Sequence, residues 1–210
     1  MTRSPEPRFR QFESKKIGTN DPSLRRGWLY RALAPDPAKR VFAFAAPFAS
    51  RWFPDVVQDA PRTEVREACG LVIFHATLGE FDSLNAALRW AYVALEPGGV
   101  LALTGRNRVR APWFTRRAER GPRSTLHGYR RAAERAGFKE VDVFGARPDD
   151  DDYTVVFSTA PACAHAFYAF EVERQTAAGI GRWLGLRRRI AASWLSPWME
   201  SAYVVVGRKC

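Results

Sequence analysis

Residues 95–107 read LEPGGVLALTGRN, and this stretch decides the fold of the chain. Pro97 ends a preceding helix, and Gly98 and Gly99 permit the positive φ angles that a tight reversal needs. The run Val100–Thr104 (VLALT) has the composition of a buried strand. A helix, a tight turn and a central strand are therefore predicted in direct succession.

The residues before this turn complete a strand–helix–strand unit. Leu71–His75 (LVIFH) is a compact apolar run that is typical of a central strand. Asp82 and Ser83 open a predicted helix, whose apolar residues recur at the three- and four-residue spacing of an amphipathic helix: Leu84, Leu88, Ala91, Tyr92 and Leu95. The crossover is long enough to place the two strands parallel.

Strands and helices also alternate in the rest of the chain. Val41–Ala45 is a predicted buried strand, and Ser124–Ala136 is a helix that Gly137 terminates. Three further strands are predicted: Phe138–Phe144, Tyr153–Phe157 and Tyr203–Val206. This alternation predicts a three-layer α/β sheet.

Three segments in this order resemble the second half of a class I S-adenosylmethionine-dependent methyltransferase. They are LVIFHATLGEF (71–81), LEPGGVLALTGRN (95–107) and STLHGYRRAAERAGFKEVDVF (124–144). The resemblance implies a Rossmann-like sheet in which these segments carry the fourth, fifth and sixth strands. It also implies that Tyr203–Lys209 is the seventh, antiparallel strand. The PGG turn indicates the fold and not the chemistry.

The first half departs from the family pattern. Members of the family open with a strand that ends in a glycine-rich loop, but this chain has no glycine between Gly27 and Gly70. Pro47 and Phe48 stand instead where bare backbone should approach the cofactor. Only 25 residues separate Ala45 from Leu71, whereas the complete set of helices and strands needs about 50. We therefore expect the N-terminal half of the sheet to lack a strand–helix unit.

If S-adenosylmethionine binds, the resemblance points to three cofactor-binding residues. Asp59, after a possible strand at 55–58, is the candidate acid for the ribose hydroxyls, and it is equally well explained as a surface aspartate. Ala76 and Thr77 follow the predicted fourth strand and would border the cofactor. His75 is the candidate catalytic base because its ordinary pKa suits neutral pH, although a buried histidine at a strand end explains it too.

Charge is unevenly distributed along the 210 residues, whose formal net charge is +11. Residues 101–135 alone hold ten basic and two acidic residues and follow the strand that should open onto the ligand crevice. An anionic ligand or an acidic protein surface is the predicted partner of this region. The candidate contacts are Arg106, Asn107, Arg108, Arg110, Arg116, Arg117, Arg187 and Arg188. The alternative for the loop after the strand is that it is simply solvated. The alternatives for residues 182–194 are a packed helix, a lid or a membrane-surface helix.

Composition excludes several classes of protein. Three widely spaced cysteines predict neither a disulfide framework nor a zinc site, and no metal site is expected. No apolar run is long enough to span a membrane, so a cytoplasmic protein is expected. Residues 1–26 are predicted to be a basic arm and 27–210 a single domain, with a helical insertion or lid at 160–200.

These observations predict a methyltransferase-fold protein that has lost the usual mode of S-adenosylmethionine binding. No cofactor is expected in that mode, and the chain would serve as a non-catalytic partner of another protein in a biosynthetic or assembly complex. The first alternative is an active S-adenosylmethionine-dependent methyltransferase acting on a small or anionic substrate. The second is a basic adaptor for nucleic acid or a membrane surface.

Overall fold

A computed structural model describes residues 29–36, 38–59, 65–79, 81–109, 122–147, 155–177, 198 and 200–210. Residues 29–33 are helical, and a 3-10 turn covers Pro47–Arg51. The strands are β1 (Val41–Phe44), β2 (Val56–Gln58), β3 (Cys69–Phe74), β4 (Leu95–Asn107), β5 (Arg123–Ser124), β6 (Lys139–Arg147), β7 (Val155–Ser158) and β8 (Ala202–Arg208). The α-helices are α1 (Leu84–Ala94), α2 (Leu126–Ala136) and α3 (Pro161–Ala177).

All eight strands belong to one sheet. Its order is β2-β1-β3-β4-β8-β6-β7, and β5 pairs with the end of β4. The strands β2, β1, β3 and β4 are parallel, whereas β8 runs antiparallel to both β4 and β6. The predicted central strands and the antiparallel last strand are thus confirmed, while β5 had no signal in the sequence.

The helix ends follow local signals. The Ser83 side chain accepts a hydrogen bond from the Ala86 N–H and caps α1, and Thr125 caps α2 through the Gly128 N–H. Gly137 adopts a φ of 107° directly after α2, where a side chain would be strained. Both helices therefore begin and end within two residues of their predicted limits.

The PGG segment forms a bulge at the start of β4. Cys69 pairs with Leu95 and Leu71 pairs with Val100, so the residues between Leu95 and Val100 loop out of the ladder. Gly98 has a φ of 79°, and its N–H donates to the Lys209 carbonyl at 2.7 Å. The strand consequently starts at Leu95, five residues before the predicted start, because pairing to Cys69 precedes the bulge.

The N-terminal half of the sheet is reduced. Between β1 and β3 the described residues contain one strand, β2, and the 3-10 turn at Pro47–Arg51. Residues 60–64 lie outside the described part of the chain. This arrangement fits the expectation from spacing that a strand–helix unit is missing here.

Alternate residues of the central strands face two buried clusters. On one face, Phe42, Phe44 and Phe74 pack beneath α1 and α2. On the other face, Ala43 and Ile73 pack against a group from the chain before β2: Leu29, Tyr30, Phe48 and Phe53. The two layers and the sheet between them give the predicted three-layer architecture.

Several predicted features fall outside the described residues. They are the basic arm 1–26, most of the basic loop after β4 and residues 178–197 of the predicted insertion. The described part of that insertion is α3. None of the helices in the described ranges is long and apolar enough to cross a membrane.

Candidate functional site

The carboxyl ends of β1, β2, β3 and β4 meet at one edge of the sheet because these strands are parallel. Ligands of open α/β sheets bind in the crevice at this edge. The loops that leave it contain Asp59 after β2, His75 after β3 and Arg108 after β4. The candidate site is therefore the surface formed by these loops and by the turn after β1.

An aromatic side chain fills the space above β1. Ala45 has a φ of 51° and directs the chain into the 3-10 turn, in which Phe48 is 4% exposed. The Phe48 ring stacks on Tyr30 with 5.7 Å between centroids and meets the His75 ring edge to face at 5.0 Å. The three rings thus pack against one another next to the ends of β1 and β3.

His75 is part of this packed group. Its side chain is 3% exposed, and its Nδ1 lies 2.9 Å from the Tyr30 hydroxyl, which is itself fully buried. A general base has to reach the proton that it removes, and here a tyrosine occupies one ring nitrogen while Phe48 covers the ring. This geometry favours the reading of His75 as a buried strand-end residue.

We expect Tyr30→Phe to lower the free energy of unfolding by about 1–2 kcal/mol, because it removes one partner of a buried hydrogen bond. Urea unfolding followed by circular dichroism measures the loss. Tyr92→Phe is the matched control, since Tyr92 uses its ring and not its hydroxyl against Lys209 and Phe138. Equal stability of Tyr30→Phe and the unsubstituted protein would contradict a structural role for the Tyr30–His75 pair.

The loop after β3 is held down on the sheet. The Ala76 N–H donates to Thr104 Oγ1 at 2.6 Å, and Thr77 Oγ1 accepts from the Gly79 N–H at 3.1 Å. A Cβ on Gly79 would lie 2.8 Å from the Phe44 ring, so only glycine permits this close approach. The Ala76 N–H and the Thr77 Oγ1 are thus engaged in hydrogen bonds within the chain.

Asp59 lies at the predicted edge. It follows β2 with a φ of 48°, its N–H donates to the Ala43 carbonyl at 2.9 Å, and its side chain is exposed. Its carboxylate can be reached by solvent and by a ligand, whereas Ala76 and Thr77 are half-buried. Its position beside the end of β1 agrees with the role that the resemblance implies, and the ligand role stays a prediction.

Asn107, predicted as an anion contact, instead joins two strands. It is 1% exposed, and its Nδ2 lies 2.5 Å from the carbonyl of Trp198, 2.8 Å from the carbonyl of Glu200 and 3.0 Å from the Tyr203 hydroxyl. These three acceptors share its two N–H groups. Its Oδ1 accepts from the Val109 N–H. The donors of this side chain are therefore taken up by the chain itself.

The arginines of the predicted set are only partly described. Arg106 is partly buried at the end of β4, and Arg108 is exposed one residue after β4. Arg110, Arg116, Arg117, Arg187 and Arg188 lie outside the described residues. Among the residues that are described, no group of His, Cys, Asp or Glu side chains is placed to hold a metal ion.

Sequence reasoning missed a buried ionic cluster at the same edge. Glu200 is 1% exposed and binds Arg147 through two hydrogen bonds, Nε to Oε2 at 2.7 Å and Nη2 to Oε1 at 2.6 Å. The Tyr168 hydroxyl donates to the same carboxylate. The Arg147 guanidinium also lies against the rings of Phe157, Phe167 and Tyr168. The cluster fixes α3 to the ends of β6 and β8.

The pKa values of this cluster follow from its burial. Burial lowers the pKa of Arg147, but the hydrogen bonds and the negative charge of Glu200 outweigh it and raise that pKa above its usual value. Burial, followed by the charge of Glu200, raises the pKa of the Tyr168 hydroxyl. Arg147 is therefore charged and Tyr168 neutral, which is the state in which both donate to Glu200.

Neither a family model nor a curated protein matches this chain, but solved structures do. An S-adenosylmethionine-dependent methyltransferase from Archaeoglobus fulgidus superposes with a TM-score of 0.54 at 11% identity, over 90% of this chain and 95% of that one. One from Thermotoga maritima gives a TM-score of 0.50 at 12% identity, over 89% of both chains. The chain has the class I methyltransferase fold.

A third structure with this methyltransferase fold is a phosphoethanolamine N-methyltransferase from Haemonchus contortus, solved with S-adenosylhomocysteine. It gives a TM-score of 0.51 at 11% identity and covers 89% of this chain but 52% of the other. These likenesses show the fold and confirm the family resemblance at that level. The chemistry of this methyltransferase-fold chain depends on its own residues.

Two loops at the carboxyl edge differ from the pattern that the family resemblance implies. The loop after β1 should bring bare backbone to the cofactor, but here it carries Pro47, which lacks an N–H, and the buried Phe48 ring. The Ala76 N–H in the loop after β3 is already bonded to Thr104. Asp59 alone of the predicted cofactor residues retains an exposed polar side chain.

Proposed function

We propose that this methyltransferase-fold chain does not bind S-adenosylmethionine in the family's usual mode and acts as a non-catalytic partner of another protein. The observation that carries this proposal is the position of Phe48. Its ring stacks on Tyr30 and contacts His75 between the ends of β1 and β3, where the fold holds its cofactor.

Opening this space requires more than a side-chain rotation. Phe48 belongs to the same buried cluster as Tyr30, Ala43 and Ile73, so removing its ring would expose the sheet beneath it. Exposing a buried phenylalanine costs about 1.5–3 kcal/mol in apolar transfer alone. Cofactor binding would have to offset this cost before any affinity was measured.

Calorimetric titration with S-adenosylmethionine and with S-adenosylhomocysteine tests the proposal. We expect no binding tighter than about 100 μM, which corresponds to roughly 5.5 kcal/mol of standard free energy. The Archaeoglobus fulgidus methyltransferase, titrated under the same conditions, is the positive control.

Binding at or below that concentration would overturn the proposal and support an active methyltransferase. In that event Asp59→Asn separates the two binding modes. A large loss of affinity would place the ribose at β2 as in the family, and unchanged affinity would indicate a different mode.

A further inference from the structure

Positive charge is concentrated in one corner of the described structure. The end of β4, residues 108–109, β5 and α2 form this region, which we call the basic corner. It contains one acidic residue, Glu134, and six arginines: Arg106, Arg108, Arg123, Arg130, Arg131 and Arg135. The pairing of β5 with β4 places Arg123, and α2 directly after it, beside the arginines at the end of β4.

Five basic residues elsewhere in the described structure have carboxylate partners, although others, such as Arg89 and Lys139, have none there. These pairs are Lys39–Glu96, Arg40–Asp55, Arg147–Glu200, Arg208–Glu140 and Lys209–Glu67. In the basic corner, Arg108, Arg131 and Arg135 are exposed and form no ion pair within the described part of the chain. These three arginines therefore present positive charge that no described carboxylate pairs with.

The charges on α2 oppose the stability of the helix. Arg131 and Arg135 stand four residues apart on an exposed face, where like charges destabilise a helix by about 0.2–0.5 kcal/mol. The caps at Thr125 and Gly137 are otherwise those of a well-formed helix. Repulsion between like charges in a helix whose other signals are favourable is expected where the charged residues serve binding.

We propose that the basic corner docks an acidic segment of a partner protein, which gives the proposed non-catalytic function its contact surface. Val109 is 60% exposed beside Arg108, so the surface offers an apolar contact next to its charges. This combination suits a peptide that alternates carboxylates with apolar side chains.

Two other polyanions fit the corner less well. Single-stranded nucleic acid stacks successive bases on exposed rings, but Tyr129 is 1% exposed, and the exposed His127 ring already meets Trp198 edge to face at 4.6 Å. A membrane-surface helix inserts its apolar face, but that face of α2 is buried through Leu126, Tyr129 and Ala133. The acidic protein segment is the occupant that the described residues favour.

Fluorescence anisotropy with a labelled peptide of alternating glutamate and leucine tests the docking. We expect saturable binding to the full chain at low salt that weakens as salt is added, since screening reaches these exposed charges. Combining Arg131→Glu with Arg135→Glu should weaken binding by about tenfold or more, and combining Arg131→Gln with Arg135→Gln should weaken it less.

The matched control reverses the same amount of charge outside the basic corner. Arg89→Glu with Lys139→Glu changes two exposed residues on α1 and β6, and binding should stay within about twofold of the unsubstituted chain. Circular dichroism of each variant checks that the helices are retained.

Three results overturn the docking proposal: no binding of the peptide at low salt, equal weakening by the control pair, or tighter binding of a nucleic-acid strand of equal charge or of phosphatidylglycerol vesicles. All three are independent of the cofactor titration. Failure of the docking is thereby distinguishable from failure of the proposed function.

Discussion

Replacing Glu200 with glutamine is expected to lower the free energy of unfolding by about 3 kcal/mol, because it leaves a partly buried guanidinium without its counter-charge. Arg147 donates two hydrogen bonds to this carboxylate, and its side chain is 30% exposed. The neutral amide offers one acceptor oxygen instead of two and places an NH2 donor against the other Arg147 N–H. Tyr168 also loses a charged acceptor, so the attachment of α3 should loosen.

Urea unfolding measures this loss, and Glu140→Gln is the control. Glu140 pairs with Arg208 at 3.8 Å on the surface, with both side chains more than half exposed, and such a pair contributes about 0–1 kcal/mol. Similar stabilities for the two variants would show that burial does not strengthen the Arg147–Glu200 pair. Arg147→Lys should also destabilise the chain, since an ammonium cannot reproduce the two-point contact.

Gly105→Ala is expected to cost about 3 kcal/mol or more, since the added methyl overpacks the core and displaces a hydrogen-bonding hydroxyl. A Cβ at this position would lie 2.8 Å from Tyr129 Cζ and closer still to the hydroxyl oxygen. The single proton of that hydroxyl lies between two carbonyl acceptors, with the hydroxyl oxygen 2.7 Å from the Pro122 oxygen and 3.0 Å from the Arg106 oxygen. The contact fixes the return of the chain from β4 to β5.

A double-mutant cycle with Tyr129→Phe separates the two contributions. Tyr129→Phe alone should cost about 1–2 kcal/mol. The double variant should lose about 1 kcal/mol less than the sum of the single losses, because a ring without its tether can move away from the new methyl. Strict additivity would mean that Gly105 is required for another reason. Thermal unfolding of the four proteins gives the cycle.

Local signals in the sequence determined the regular elements. Ser83, Thr125 and Gly137 act on backbone groups within four residues of themselves, so the limits of α1 and α2 can be read from the sequence without knowing the rest of the fold. The apolar runs of β3 and β4 indicate central strands because only a strand covered on both faces buries every side chain. The short spacing between Ala45 and Leu71 predicted the reduced N-terminal half, because so few residues cannot form the full set of helices and strands.

The tertiary structure decided what the side chains at the carboxyl edge do. His75 lies against Tyr30, 45 residues earlier in the chain, and Asn107 binds Tyr203, 96 residues later. Both were predicted as site residues from their places after strands, and both are buried by partners from distant segments. Asp59 remains exposed at the predicted edge, because the described neighbours leave its side chain uncovered.

The sequence by itself therefore determined the elements and their order, through interactions that act over a few residues. It also placed the excess of positive charge after β4. Only the sheet order brought Arg147, Tyr168 and Glu200 together and set α2 beside the end of β4. These contacts join residues that are 32 to 53 positions apart, so they depend on which strands are neighbours in the sheet. The strand order is set by burial of apolar surface over the whole chain and not within any one segment.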